Sequence, residues 1–315
     1  MIAKPSVTVV VPCFNGEAFI GQALASVRLQ SVENWELFVV DDGSSDGTAE
    51  VVEAIAGEDH RVHLCRQSRG GVSAARNAGA ALGSADVLAF LDADDVWHPD
   101  YLARMLAALS ADPGRDIGFA KVHLIDRSGR PTGEQMHAKL NEIGVSDLLS
   151  GNPAITSSNI VIRRRAFERL GGFLVGMNHA EDQLLLLRAA LLGCRIGGID
   201  EVLVSYRTNE AGLSSDLAAM RRGWEALLER VWAEFPNEIR PLALRASARN
   251  FLYLGRRALR LRRPPGEALG FVYSAISSHP SALWRWPWPT LPLLVMAVLD
   301  AMRPVAHQIS NEARR

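Results

Sequence analysis

The 315-residue chain carries 34 basic and 35 acidic side chains, a formal net charge of -1, so it has no broad positive footprint for nucleic acid and must meet any charged ligand locally. Cys13, Cys65 and Cys194 are odd in number, far apart and form no CxxC pair, which argues against a disulfide framework or a zinc site and suits a reducing cytoplasm. The length allows one large domain or a domain with an appendage, and the pattern along the chain favours the second.

Val7 to Val11 is a continuous β-branched run stopped by Pro12, too short for a signal-peptide core and read as a buried strand. Gly16 to Leu29 then places Phe19, Ala23, Leu24 and Val27 at helical spacing. Leu37 to Val40 is a second short apolar run, which ends in Asp41-Asp42-Gly43-Ser44 and leads into a helix through Val51, Val52 and Ile55. His63 to Cys65 supplies a third strand, Ser73 to Leu82 an Ala-rich helix with Ser73 as its N-cap, and Val87 to Leu91 a fourth strand. Strands alternating with helices imply a mostly parallel sheet covered on both faces.

Beyond Pro99 the texture changes. The pattern predicts a helix through Leu102, Met105 and Leu109, a hairpin around Asp126 to Gly129, and a strand from Ser157 to Ile162. A helix from about Arg164 should end at Gly171-Gly172, another from Glu181 to Leu192 should stop at Gly193, and Val202 to Tyr206 reads as a strand. From Leu217 onward the chain is helical, Arg-rich and Ala/Leu-rich, with a boundary near residue 215. Arg256, Arg257, Arg260, Arg262 and Arg263 form a basic cluster. Leu283 to Met302 follows, with Trp284, Trp286, Trp288 and the apolar run Leu291 to Leu299. Arg285, Asp300 and the prolines interrupt the roughly 20 apolar residues a spanning helix needs, so this segment suits a membrane surface better than a crossing, or else packs as a capping helix.

Four segments could carry chemistry. Phe90-Leu91-Asp92-Ala93-Asp94-Asp95 puts three carboxylates at the C-terminal end of a buried strand, where ligands of open α/β sheets bind. Strand alternation would send Asp92 and Asp94 to one side and Asp95 to the other. Carboxylates this close would repel a diphosphate unless a hard dication, Mg²⁺ or Mn²⁺, lay between; an Asp-rich turn that caps the next helix is the competing explanation. Val39 to Thr48 is a second acidic turn, able to accept hydrogen bonds from a base or ribose, or simply to cap a helix. Val11-Pro12-Cys13-Phe14-Asn15 delivers an aromatic face and an amide to the same rim. Arg69 to Gly79 is a glycine-rich loop feeding a helix N-terminus, which favours anions. It is neither GxGxxG nor a P-loop, which counts against a dinucleotide oxidoreductase and a P-loop NTPase. Arg76 in that helix could face phosphate, base or solvent.

These segments occur in one order, each at a strand end or a helix start. Together VVVPCFNGEAFIGQALASV, WELFVVDDGSSDGT, RGGVSAARNAGAALGSADVLAFLDADD and HAEDQLLLLRAALLG closely resemble glycosyltransferase family 2, over residues 6 to 207. The resemblance implies an A-type glycosyltransferase fold: α/β, with a mostly parallel central sheet covered by helices. Residues 1–98 would be the nucleotide-sugar half, 99–215 the acceptor and catalytic-base half, and 216–315 a helical C-terminal extension. It also implies an inverting, metal-dependent transfer from a nucleoside diphosphate sugar, UDP-linked by preference, to a hydroxyl of a saccharide or lipid-linked saccharide. Such transfers belong to polysaccharide, glycan or glycolipid synthesis, here in the cytoplasm or at the inner face of the cell membrane.

Residue by residue, the resemblance has Pro12, Phe14, Asn15 and Glu17 frame the nucleotide pocket, Asp41-Asp42 contact uracil or ribose, and Arg76 close over the base. Asp92 would serve mainly the ribose while also reaching the Mg²⁺ or Mn²⁺, and Asp94 mainly that metal, which would bridge the diphosphate. Glu181-Asp182 resembles the family's ED motif, with Asp182 the general base of a single inverting displacement. Both acids could equally complement the dipole of the helix they begin, and a helix N-terminus would lower the pKa of such a base. One departure stands out: many relatives carry a histidine after the strand that ends here in Ser205-Tyr206-Arg207, whereas Thr208, Asn209 and Glu210 follow. No third phosphate or metal ligand is carried over, and His179 is the nearest substitute. Two other functions stay open. A sugar nucleotidyltransferase would need a basic N-terminal loop that is missing, and a noncatalytic sugar- or nucleotide-binding module would not need Asp92, Asp94 and Asp182 intact.

Overall fold

The computed structural model describes residues 4–136, 139–177, 179–208, 216–281 and 291–298. The chain divides into two compact units, one of residues 1–148 and 152–209, the other of 149–151 and 210–315.

The first unit begins with four strands, β1 (Val7–Cys13), β2 (Trp35–Asp41), β3 (Val62–Arg66) and β4 (Val87–Phe90), joined by helices α1 (Glu17–Arg28), α2 (Thr48–Glu58) and α3 (Val72–Leu82). All four strands run parallel in the order β3-β2-β1-β4. The alternating pattern becomes this sheet because β1 is buried at every position, as a strand covered on both faces must be. Helix α3 lies close on β1 and β2 because Gly79 has no side chain; a Cβ there would overlap Val10 and press on Val40. Pro12, which has no N–H to offer a ladder, sits two residues past Val10, the last β1 residue that pairs with β4.

The second half of this unit is mixed. It contains β5 (Val96–Trp97), α4 (Tyr101–Ala111), β6 (Arg115–Ile125), β7 (Pro131–Met136), α5 (Val145–Leu148), β8 (Val161–Arg163), α6 (Arg164–Leu170), α7 (Glu181–Leu191) and β9 (Arg195–Arg207). The sheet continues β4-β8-β6-β9-β5, with β7 added to β6; only β6 and β9 pair in parallel, and the other contacts here are antiparallel. A core of Val9, Val11, Leu24, Leu37, Trp97, Tyr101, Leu102, Met105 and Val122 runs beneath both halves.

Two local expectations are corrected. Ser157 to Ile162 is not one strand: Ser157–Asn159 form a 3-10 turn and only Val161–Arg163 join the sheet. Thr156 caps that turn by accepting from the Ser158 amide, and the Asn159 side chain bonds both N–H and C=O of Ala120, so polar side chains replace the ladder. Ser73 is not the cap of α3. Gly71 holds that position, at φ +88°, and the Ser73 hydroxyl donates to the Met177 carbonyl.

The second unit is helical: α8 (Leu217–Glu234), α9 (Pro236–Ile239), α10 (Ala243–Arg260), α11 (Pro265–Ser278) and a helix at 291–298. Leu252, Leu254, Phe271, Val272, Leu293 and Ala297 form its core. The tryptophans of the Leu283–Met302 segment lie outside the described residues. Among those described, no helix is long and apolar enough to cross a membrane.

Candidate active site

Parallel strands β1, β2 and β4 bring their C-terminal ends, and hence the predicted segments, to one rim. Strand β4 ends at Phe90, and the Asp95 amide donates to the Asp92 carbonyl at 3.1 Å. The three aspartates therefore occupy a turn, not a strand, and alternation does not set their directions. Burial and partners separate them instead. Asp95 is buried; its carboxylate accepts from the Ser158 hydroxyl and the Arg207 amide, and burial followed by its neighbours Asp94 and Asp92 pushes its pKa well up. Half-buried Asp92 accepts from Arg76 at 2.6 Å and from Ser157 at 3.1 Å. Asp94 is also half-buried, and among the described residues no other residue donates to its carboxylate. Burial, then Asp92, raises its pKa to about 6.

The acidic pair at the end of β2 behaves differently. Asp42 is buried and accepts from Gln67 at 2.7 Å and from the Gly70 and Gly71 amides at 2.7 and 2.8 Å, so it ties the glycine-rich loop to the sheet. Asp41 is fully buried; one oxygen accepts from the Ser44 amide, while Oδ2 lies 3.4 Å from Arg66 but has no hydrogen-bond donor. At the end of β1, Asn15 accepts from the Ser45 amide and Glu17 from the Gly47 amide, while the Glu17 amide donates to Asp46. Phe14 stays exposed, with the Arg69 guanidinium 3.4 Å above its ring. An exposed aromatic face and an orphaned buried carboxylate oxygen are what a nucleobase with an imide N–H would satisfy.

Arg76, expected over a base, is enclosed by protein and links two acidic segments. It is 2% exposed and bridges Asp92 at 2.6 Å and Glu181 at 2.9 Å, with a further bond to Ser157. Burial works against its charge, yet the two carboxylates outweigh that and raise its pKa. The bridge brings Glu181-Asp182, at the start of α7, into one cluster with the turn after β4. Asp182 accepts from Asn152 Nδ2 at 2.7 Å and from the Gln183 amide at 2.7 Å. Its pKa is raised to about 7, by burial first and Glu181 second, with Arg76 opposing. The helix N-terminus was expected to lower it; desolvation exceeds that effect.

Asn152, Ser157, Ser158 and Arg207 were not legible as site residues. Arg207 is buried and donates to the Asp94, Asp126 and Arg127 carbonyls and to Gln22, while its own amide holds Asp95. The strand end that lacks the histidine thus supports the acidic turn from behind. Thr208 bonds the Ile125 carbonyl, and Asn209 and Glu210 lie outside the described residues. His179 has no partner among the contacts of this cluster.

Among the described residues, no group of three His, Cys, Asp or Glu side chains converges as a metal cage. The donor set nevertheless fits a hard dication of the Mg²⁺ kind, which takes one or two carboxylates and completes its shell with phosphate oxygens and water. Asp94 offers an uncommitted carboxylate in a poorly solvated turn, and Asp92 stands next to it. Two shallow surface concavities, around Arg28 and Asp59 and around Asp86 and Arg164, lie away from these turns.

The sequence pattern of Glycosyl transferase family 2 matches residues 8–171. The putative teichuronic acid biosynthesis glycosyltransferase TuaG of Bacillus subtilis is 27% identical over 223 residues, covering 70% of this chain and 86% of TuaG. Several curated relatives are longer, and the chain spans less than two thirds of their length. In structure, the chain resembles the mannosyltransferase PcManGT of Pyrobaculum calidifontis, solved with GDP-Man and Mn²⁺, at TM-score 0.61 and 20% identity over 96% of this chain and 88% of that one. S. aureus TarS 1-349, solved with UDP-GlcNAc, superposes at TM-score 0.58 and 17% identity over 90% and 92%. These likenesses show the A-type glycosyltransferase fold.

Proposed function

The chain belongs to glycosyl transferase family 2, and from that premise we propose that it transfers a sugar from a UDP-linked donor to a hydroxyl of a saccharide acceptor, with inversion, in polysaccharide or glycan synthesis. The observation that carries the reading is that two carboxylates of raised pKa, Asp94 and Asp182, stand on segments joined by a single buried arginine. Arg76 holds Asp92 in one segment and Glu181 in the other, Ser158 and Arg207 hold Asp95, and Asp94 and Asp182 are left for chemistry.

In this reading Phe14 and Asp41 receive the base, Asp92 the ribose and Asp94 the Mg²⁺ or Mn²⁺. Asp94, with Asp92 beside it, would hold the dication, which when bound would supply positive charge to the departing diphosphate. Asp182, half ionised near neutral pH, accepts the acceptor hydroxyl's proton as that oxygen attacks the anomeric carbon and the bond to the diphosphate breaks. Asn152 orients the Asp182 carboxylate. UDP with Mn²⁺ should raise the melting temperature of the protein, and neither alone should do so fully. GDP stabilising better than UDP would reassign the donor, and no shift with either nucleotide would refute donor binding.

The C-terminal unit supports a lipid-linked acceptor. Leu291, Val295, Met296 and Val298 are exposed on the 291–298 helix, whose Leu293 packs against Gly255 beside exposed Arg256. An apolar face beside basic side chains suits an anionic membrane surface. The full chain should sediment with phosphatidylglycerol vesicles, and Val295→Asp with Met296→Asp should abolish this; equal sedimentation of both proteins would place the contact elsewhere.

A further inference from the structure

Arg76 is a residue whose surroundings contradict the place the family resemblance gives it. A guanidinium that closes over a nucleobase must present a face to the ligand, but here the side chain is almost wholly buried. Its Nη1 donates to Glu181 at 2.9 Å, and its Nη2 to Asp92 at 2.6 Å and to Ser157. Its Nε is buried without an acceptor, so the position is set by the two carboxylates and not by a full complement of bonds. Ser157 donates onward to Asp92, and Thr156 reaches both Asp92 and Asp95. Phe173 lies 5.1 Å beneath the guanidinium. The partners come from segments 16 and 105 residues away in sequence.

We propose that Arg76 is a positioning residue that fastens the turn bearing Asp92 and Asp94 to the first turn of α7, so that Asp182 is held in register with the donor rather than Arg76 touching the nucleotide. The physical case is the fork of the guanidinium. Two carboxylates on separate elements repel each other unless a cation lies between them, and the guanidinium binds each through a different nitrogen in fixed directions, which an ammonium with its donors on one mobile nitrogen does not reproduce. Helix α7 needs such a tie. It begins from Ala180 at φ +61°, a left-handed conformation costly for a residue with a side chain, and this N-cap alanine has no polar side chain to cap the helix. Glu181, in its first turn, is the residue through which Arg76 grips it, beside the bond from Asn152 to Asp182.

The inference rests on the donor reading above, and its test does not need turnover. Hydrogen exchange of the Gln183 and Leu184 amides in the free full-length protein reports the first turn of α7. Titration of UDP with Mn²⁺ reports the donor site. In Arg76→Gln and Arg76→Lys those amides should exchange roughly tenfold faster or more, the scale of one lost charge-assisted bond, while amides of β1 and β2 keep their protection. UDP affinity with Mn²⁺ should fall by less than about threefold, well short of the tenfold or greater loss expected for a direct charged contact. Glu181→Gln, which leaves Arg76 and Asp92 in place, should loosen the same amides and serves as the second variant should both Arg76 substitutions fail to fold. A large loss of UDP affinity with unchanged α7 exchange would make Arg76 a nucleotide contact and overturn the proposal. Uniform loss of protection across the sheet would make it a general support of the fold and also overturn it. Failure of the wild-type chain to bind UDP with Mn²⁺ would count against the donor reading while leaving the exchange result to decide the role of Arg76.

Discussion

The acidic turns that end β2 and β4 flank the same strand and look alike in sequence, yet the molecule uses them in opposite ways. At the end of β2, Asp42 is buried and accepts three hydrogen bonds, two from the glycine loop before α3. At the end of β4, Asp92 and Asp95 are committed to Arg76, Ser157, Ser158 and Arg207, and Asp94 is left without a donor from any other described residue. The first turn is a brace and the second holds something out. The start of α7 repeats the second arrangement on a smaller scale: Glu181 pairs with Arg76, and Asp182 keeps only polar, uncharged donors. In each case one acid is fixed so that its neighbour can stay poorly solvated and raised in pKa.

The largest effect should come from the uncommitted acid of α7. Asp182→Asn should lower turnover by roughly 10² or more, the scale of general-base catalysis, with UDP binding nearly unchanged; a variant with wild-type steady-state turnover would remove Asp182 from the chemistry. The brace should fail differently. Asp42→Asn turns one accepting oxygen into a donor that faces a backbone N–H, and should cost about 1–3 kcal/mol of stability in denaturant unfolding. A smaller effect concerns pH. Asp182 acts as a base only when ionised, and its pKa is raised to about 7, so the rate should climb through that pH and level off above it. Because Glu181 is the second cause of the rise, Glu181→Gln should move that limb of the pH–rate profile to lower pH. A limb that stays in place would show that Glu181 does not act on Asp182.

Much of this was open to reading from periodicity. The β1–α1–β2–α2 alternation shows in the apolar spacing, and the DxD and Glu-Asp segments show as motifs. The apolar pattern marks β9 only from Val202 to Tyr206, whereas the strand spans Arg195–Arg207, because Gly197 and Gly198 carry no side-chain pattern and the ladder of β6 supplies the order instead. Ser157 and Ser158 look like strand residues until their side chains are seen to bond the acidic turn. Arg76, Arg207 and Asn152 act on residues 16 to 185 positions away in sequence, and no local signal marks such partners. Nor can a run of letters say which of two acidic turns has its carboxylates already occupied.

That last distinction is the centre of the account, and titration calorimetry of UDP tests it directly, with and without Mn²⁺, on the wild-type chain, Asp94→Asn and Asp42→Asn. The wild-type protein should bind UDP more tightly with Mn²⁺ than without. Asp94→Asn should lose that gain, by about tenfold or more, and Asp42→Asn should keep it at a temperature where the protein remains folded. Undiminished Mn²⁺-dependent binding in Asp94→Asn, or its selective loss in a folded Asp42→Asn, would contradict the assignment of brace and site.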